Sequence, residues 1–493
     1  MTQPRKGGFI NSRRRREKKM AYKQIEENTM QKLRDIVGGE NLICEQEKMV
    51  DYSHDEFSLE SIRKLPEVVA KPKNREEISE ILKLANKERF PVTPRGGATG
   101  LVGSCVPLHG GLVLSLENMN KVLEVDTENL MAVVEAGVPL MEFYKKVEGA
   151  GLFFPPHPGE ESANIGGVIA TNAGGSRAVK YGVIRNFVKG LEVVLPAGEI
   201  IDIGGKIMKD STGYSLLNLL IGSEGTLGIV TQATISLLPP PKAMYTLVVP
   251  FNSVRDAINT VPMIIKSKTI PMAIEFIEKE PILVTEEYLQ KKWPSREGGA
   301  YLMIIIDGSS EEEVMGLCES VGELCSANNA LDVFVADTKE RQDNILNIRS
   351  QIYEAIKPYT IEILDITVPR AEIASHVERV HEIADKYGVW LPTYGHAGDG
   401  NVHTHIMKVK FKEGKIEEAK EGWEEQYHQV RKELHIDGIN RGGTISGEHG
   451  IGIVKKEYLS MALGKVHIDI MKEIKKIFDP GNILNPGKIF DLN

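Results

Sequence analysis

Three histidines crowd one short segment, Tyr394-Gly395-His396-Ala397-Gly398-Asp399-Gly400-Asn401-Val402-His403-Thr404-His405. If residues 401–406 form a strand, His403 and His405 share a face, because side chains alternate along an extended chain. His396 then sits at the end of the preceding turn. Farther on, Ser446-Gly447-Glu448-His449-Gly450 sets a carboxylate beside another histidine. Two histidines and one carboxylate are a common ligand set for Zn²⁺, Fe²⁺ or Mn²⁺. These residues by themselves leave a metal hydrolase open.

A second set of residues could hold an anion. Glycine clusters occupy residues 94–100 (Pro-Arg-Gly-Gly-Ala-Thr-Gly), 164–167, 172–175 and 222–228. Glycine reaches positive φ and lets backbone N–H groups approach a phosphate closely. Clusters this dense, interleaved with Thr, Asn and Ser donors, exceed what turns require and point to a wrapped phosphate-bearing cofactor. No G-x-x-x-x-G-K-[ST] occurs, which excludes a P-loop. The spacing at 97–103 is G-x-x-G-x-x-G, and no acidic residue follows a clean βαβ unit, so a Rossmann site is excluded too.

The elements that position these groups fall into two textures. Residues 22–37 read as a polar helix. Asn74 is an N-cap with Glu77 three residues on, and Ile78, Ile81, Leu82 and Ala85 form one helical face. Strands are expected at 90–93, 111–116, 131–135, 191–195 and 229–237. The triple proline at 239–241 is the best linker signal. Beyond it, strands at 245–250 and 301–307 alternate with helices at 310–328, 371–387 and 412–440. Cys318 and Cys325 read as buried thiols on the first of these helices. A last helix covers 466–478, before two Pro-Gly turns.

The 493 residues allow two to four domains at ~100–200 residues each. With 41% hydrophobic and 26% charged residues, the chain is an ordinary globular protein, neither collagen-like nor wholly disordered. A net charge of −9 argues against a general nucleic-acid binder. The longest apolar runs are far short of the ~20 residues of a membrane helix. Cys44, Cys105, Cys318 and Cys325 form no C-x-x-C pair, which argues against a disulfide framework or a cysteine-ligated cluster. Residues 1–19 carry a net +7 and read as a disordered basic leader or tail, with Met20 an alternative start. As a functional arm they would bind nucleic acid or anionic membrane.

The ordered motifs PRGGATGL, PPHPG, NIGGVIATNAGG, YG, GSEGTLGIVT and the tail FDPGNILNPGKIF resemble the vanillyl-alcohol-oxidase-type FAD flavoproteins. Within them they are most similar to the D-lactate dehydrogenase and glycolate oxidase flavin-subunit branch. The resemblance runs from about residue 66 to the C-terminus. It implies an α+β fold, a two-part FAD-binding domain with an α+β cap. The FAD-binding domain is expected at 20–241, the cap at 242–444, and a segment returning to the FAD domain at 445–493. FAD would be noncovalent, since the first glycine loop holds no histidine and His109 lies beyond it. Its pyrophosphate would lie on Arg95–Thr99. Pro94, Arg95, Gly96, Gly97, Ala98, Thr99, Gly100, Pro156, Gly166, Gly167, Thr171, Asn172, Gly174, Gly175, Tyr181, Glu224, Gly228, Ile229 and Asn485 are the implied cofactor-binding residues.

By the same resemblance His396, His403 and Glu448 hold one divalent metal, Zn, Fe or Mn. His449 is the base, and Arg349 binds the substrate carboxylate. The implied reaction oxidises a 2-hydroxy acid to the 2-oxo acid, with hydride passing from Cα to flavin N5. Compared with 2-hydroxyglutarate dehydrogenases, the stretch around Tyr353 and 361–365 lacks the expected Thr and Lys, and His405 replaces an Asn. These departures favour a short monocarboxylate, D-lactate first, over a diacid. Electrons would pass to an external acceptor protein, with electron-transfer flavoprotein the first expectation and a cytoplasmic location implied. Glycolate or D-2-hydroxyglutarate oxidation, with a quinone or iron–sulfur partner, is the alternative. Ether-lipid-type synthases share the fold, but the Glu448-His449-Gly450 arrangement discriminates against them.

Overall fold

A computed structural model describes residues 22–57, 59–412, 414–419 and 422–492. The basic segment 1–19 lies outside the described residues. Two small sheets build the N-terminal half. In the first, Val68–Ala70, Leu112–Ser115 and Val92–Arg95 run parallel, with Leu42–Ile43 antiparallel at one edge. The second is antiparallel, in the order Val122–Asp126, Met131–Glu135, Ile229–Ser236, Val188–Val194, Ile200–Gly204. Helix Arg75–Glu88 packs against them. The Asn74 side chain accepts the Glu77 N–H at its start, and Ile78, Ile81, Leu82 and Ala85 are buried, as the spacing predicts.

After the proline run the chain enters a seven-stranded antiparallel sheet. Its order is Phe334–Ala336, Ala243–Phe251, Ala300–Gly308, Ala273–Glu278, Thr393–His396, Asn401–Met407, Thr360–Thr367. Both faces are covered, so the strands read as continuous apolar runs. Leu302, Ile304 and Ile306 pack under the helices Val254–Lys266, Glu311–Ser326 and Ile373–Tyr387. Tyr301, Met303 and Ile305 point the other way, toward Lys279–Leu289, Lys339–Ser350 and the N-terminal half. Cys318 and Cys325 are buried free thiols on Glu311–Ser326.

The helix expected at 412–440 is shorter. Val409–Lys412 and Lys415–Ala419 form a hairpin instead, and the helix spans Trp423–Asn440. Gly414 and Gly422 explain the difference, since both take positive φ, 81° and 72°, where a helix would need negative values. No described helix is long and apolar enough to cross a membrane.

The C-terminal segment returns to the first sheet. Leu484 bridges Val92 in parallel, and the Asn485 N–H donates to Val92 O. Buried Lys475 secures this return by donating to Thr226 O, Leu484 O and the Asp479 carboxylate. Asp479 in turn accepts the N–H groups of Ile483 and Leu484. Replacing Asp479 with Ala strands the Lys475 ammonium in the interior. We expect a stability loss of about 3–5 kcal/mol in urea unfolding; an unchanged midpoint would contradict this role of the pair.

Candidate active site

Strand register, not sequence proximity, assembles the polar cluster. Glu275 pairs with His396, Tyr394 with His403, and Asp365 with His403 on adjacent strands. Alternation therefore turns all five toward the N-terminal half. Glu448 arrives from the C-terminal segment, with Oε1 3.5 Å from His396 Nε2 and 3.3 Å from His403 Nε2. A tetrahedral site with bonds of about 2.1 Å separates its ligand atoms by about 3.4 Å. Glu448 Oε1 thus stands at ligand-to-ligand spacing from each of the two histidines. Burial alone would raise the Glu448 carboxyl, but His396 and His403 hold it well below the usual range.

His396 is oriented from behind. Its Nδ1 lies 2.6 Å from Glu275 Oε1, leaving Nε2 toward Glu448. Glu275 is fully buried, yet His396 and Arg349 together hold its carboxyl down at about 2. Arg349, in the last turn of Lys339–Ser350, donates Nε (3.0 Å) and Nη2 to Glu275 Oε2 and stacks 4.7 Å over the Tyr394 ring. His405 shares a face with His403 as expected but has other partners. It pairs with the Tyr394 hydroxyl at 2.9 Å and Thr360 at 3.3 Å, and burial pushes its imidazole well down.

The loop 446–450 hangs from Asp365. Asp365 Oδ2 accepts the N–H groups of Gly447, Glu448 and His449, the Ser446 hydroxyl and the Lys455 ammonium. Oδ1 accepts from Asn401 Nδ2. Asp365, His403, Glu448 and His449 place ligand atoms within 4.8 Å of one another. Asp365 is nevertheless a poor ligand, because its lone pairs are already taken up by these donors. His449 Nδ1 is buried without a hydrogen-bond partner and lies 3.8 Å from Asp365 Oδ2. Burial pushes His449 down to about 4 in spite of that carboxylate, so the ring is neutral at pH 7.

One cavity of about 850 Å³ joins this cluster to the glycine loops. Among the predicted residues, Pro94, Arg95, Gly96, Gly97, Ala98, Thr99, Gly100, Gly166, Gly167, Thr171, Glu224, Gly228 and Ile229 line it, as do Arg349, His396, His403, Glu448 and His449. Among the described residues, no protein acceptor meets the N–H groups of Gly96, Gly97, Ala98, Thr99 or Gly100. A run of free N–H groups against a cavity suits a pyrophosphate. The Arg95 guanidinium points elsewhere, to the carbonyls of Asp51 and His54.

Pro156, Asn172, Gly174, Gly175, Tyr181 and Asn485 do not line the cavity but brace what does. The Pro156 carbonyl accepts from Tyr144, and Asn172 caps Ile165–Thr171 with φ 53°. A Cβ on Gly174 would come within 2.8 Å of Glu448 Oε2, and one on Gly175 within 2.1 Å of His157 O. Tyr181 donates to Asp307, across to the large sheet. Asn485 Nδ2 donates to the carbonyls of Ser104 and Glu224. The Glu224 carboxylate accepts the N–H groups of Ile451 and Gly452, just past the Glu-His pair.

Residues 66–204 match the family described as FAD binding domain, and residues 240–489 match FAD linked oxidases, C-terminal domain. The chain belongs to the FAD-linked oxidases. FAD is therefore its cofactor, and the chain is an FAD-dependent oxidoreductase. A D-lactate dehydrogenase of Archaeoglobus fulgidus is 48% identical over 86% of this chain and 91% of its own. A D-lactate dehydrogenase of Anaerostipes hadrus is 39% identical over 95% of this chain and 98% of its own. A glycolate oxidase subunit of Bacillus subtilis is 41% identical over 96% of this chain and 97% of its own. Among solved structures, 4-ethylphenol oxidase from Gulosibacter chungangensis shares the fold at 20% identity and TM-score 0.76, covering 96% of this chain and 99% of that one. Alkyldihydroxyacetonephosphate synthase does so at 19% identity and TM-score 0.73, covering 95% and 86%. The α+β, vanillyl-alcohol-oxidase-type fold expected from the motifs is the fold of this FAD-linked oxidase.

Sequence reasoning did not find Glu275 or assign a role to Asp365. Each had a signal, since each is a carboxylate on the inward phase of a buried strand, in Ala273–Glu278 and Thr360–Thr367. Replacing Asp365 with Asn leaves the three loop N–H groups and Lys455 facing an amide. We expect the flavin spectrum to survive while affinity for added Zn²⁺ falls at least ~10-fold in chelator competition. Unchanged affinity would show that Asp365 does not hold the loop.

Proposed function

We propose that this enzyme oxidises a short 2-hydroxy acid, D-lactate first, to the 2-oxo acid with FAD and one divalent metal. The observation that carries the reading is the meeting, in one cavity, of free N–H groups, a convergent His-His-Glu set and a half-buried arginine. The relatives named D-lactate dehydrogenase and glycolate oxidase subunit support the same chemistry.

Residues 94–100 would cradle the FAD pyrophosphate, and the strict packing around Gly174 and Gly175 would keep the glycine cluster at 172–175 in place. His396, His403 and Glu448 would hold the metal. When bound, FAD supplies the acceptor for the hydride leaving Cα, and a divalent cation lowers the pKa of a substrate hydroxyl. Arg349 binds the substrate carboxylate with the N–H groups that Glu275 leaves free. His449 takes the hydroxyl proton at Nε2, since Nδ1 faces Asp365 and the neutral ring is ready to accept. The cavity wall excludes water and holds Cα in line.

A monocarboxylate suits the Lys357 end of the cavity, where the ammonium is paired with Glu56 and Glu354 rather than offered to a second carboxylate. The division into an FAD-binding domain (20–241), a cap (242–444) and a returning segment (445–493) is supported by the sheet boundaries and by the contact of Leu484 with Val92. The flavin-subunit likeness supports an external acceptor protein, an electron-transfer flavoprotein first, and a cytoplasmic location.

The test is an anaerobic visible spectrum of the metal-supplemented protein before and after D-lactate. Bleaching of the flavin bands is expected. A spectrum untouched by D-lactate would overturn the substrate assignment, and a response to glycolate or D-2-hydroxyglutarate alone would replace it. His449→Ala should retain FAD but reduce it at least ~10²-fold more slowly. Rates like the parent's would remove His449 from the proton transfer.

A further inference from the structure

Glu275 has no part in the reaction as set out above, yet it touches both halves of the site. It lies on the strand Ala273–Glu278, near the middle of the large sheet, and its side chain is sealed from solvent. Oε1 meets Nδ1 of His396 at 2.6 Å, and Oε2 meets the Nε and Nη2 groups of Arg349. The strand below is paired on both sides, with Glu275 opposite Met303 on one side and opposite His396 on the other. The carboxylate therefore stands on a rigid base.

We propose that Glu275 is a positioning residue that ties the metal-binding histidine to the carboxylate-binding arginine, fixing their spacing to that of a 2-hydroxy acid. The inference rests on the functional reading above. A 2-hydroxy acid carries its hydroxyl and carboxylate on adjacent carbons, so their receptors must be held at one short separation. Here a single carboxylate contacts both receptors directly.

Each half gains from the link. Donation from Nδ1 to Oε1 leaves the lone pair of His396 on Nε2, directed toward Glu448. Arg349 has a long side chain that would lose much rotamer freedom on binding substrate. Held by Glu275 and stacked on Tyr394, it has lost that freedom already. A glutamine at 275 cannot reproduce both contacts. Its oxygen can accept from one partner, but its NH₂ group then faces the N–H donors of the other.

The experiment uses the FAD-bound protein and compares the parent with Glu275→Gln, Arg349→Lys and the double variant. Zn²⁺ affinity is read by competition with a chromophoric chelator, without substrate. D-lactate affinity is read from the concentration dependence of flavin reduction, separately from its limiting rate. Glu275→Gln should weaken Zn²⁺ at least ~10-fold and D-lactate by a similar factor, with the flavin spectrum kept. Arg349→Lys should also weaken Zn²⁺ measurably, and that effect should vanish in the Glu275→Gln background. Loss of only one affinity in Glu275→Gln, or of neither, would overturn the link. Should Glu275→Gln fail to fold, Arg349→Lys alone decides, and an unchanged Zn²⁺ affinity overturns it. The chelator readout needs no substrate. A failure of the 2-hydroxy-acid reading would appear instead as a parent flavin that no such acid reduces.

Discussion

The geometry of the site depends on how the segment 446–452, flanked and interrupted by glycines, is made to keep one shape. Asp365 does most of this, through the three consecutive N–H groups, the hydroxyl and the ammonium that converge on Oδ2. A buried carboxylate is costly to desolvate, and here the compensation comes from the groups that need positioning. Glu224 grips the same segment from the other side, through Ile451 and Gly452. The segment is thus pinned between the large sheet and the glycine-rich loop that carries Glu224. Both carboxylates hold the segment that brings Glu448 to His396 and His403.

The same logic recurs at Glu275 and Asp479. In each case a carboxylate fully removed from water gathers more than one donor: Glu275 joins His396 and Arg349, far from it in sequence, and Asp479 holds Lys475 to the turn at Ile483 and Leu484. Such residues organise the molecule without touching the reacting atoms. Fold neighbours under 25% identical, among them 4-ethylphenol oxidase and alkyldihydroxyacetonephosphate synthase, share the frame alone. What this chain does is decided by the side chains set into that frame.

Much of this was legible in the sequence, for physical reasons that differ by residue. The glycine loops show because positive φ and close backbone approach demand glycine. His403 and His405 show because strand alternation is a local rule. What they touch did not show: His405 turned out to bond Tyr394 and Thr360 rather than join His396, His403 and Glu448. Glu275 and Asp365 were hidden because strand register decides their partners, and register is not written locally. Flavin-side motifs located the loops but not the facing of each residue, so Gly174, Gly175 and Asn485 brace the cavity wall from behind. The overlong helix at 412–440 arose from reading charge and length while passing over Gly414 and Gly422.

The most direct test of the account is anomalous diffraction at the zinc edge from crystals grown with FAD and Zn²⁺. The account predicts one strong peak within bonding distance of His396 Nε2, His403 Nε2 and a Glu448 carboxylate oxygen, with Asp365 still bound to the loop N–H groups. A peak bonded to Asp365, or no peak in this cavity at saturating Zn²⁺, would contradict it.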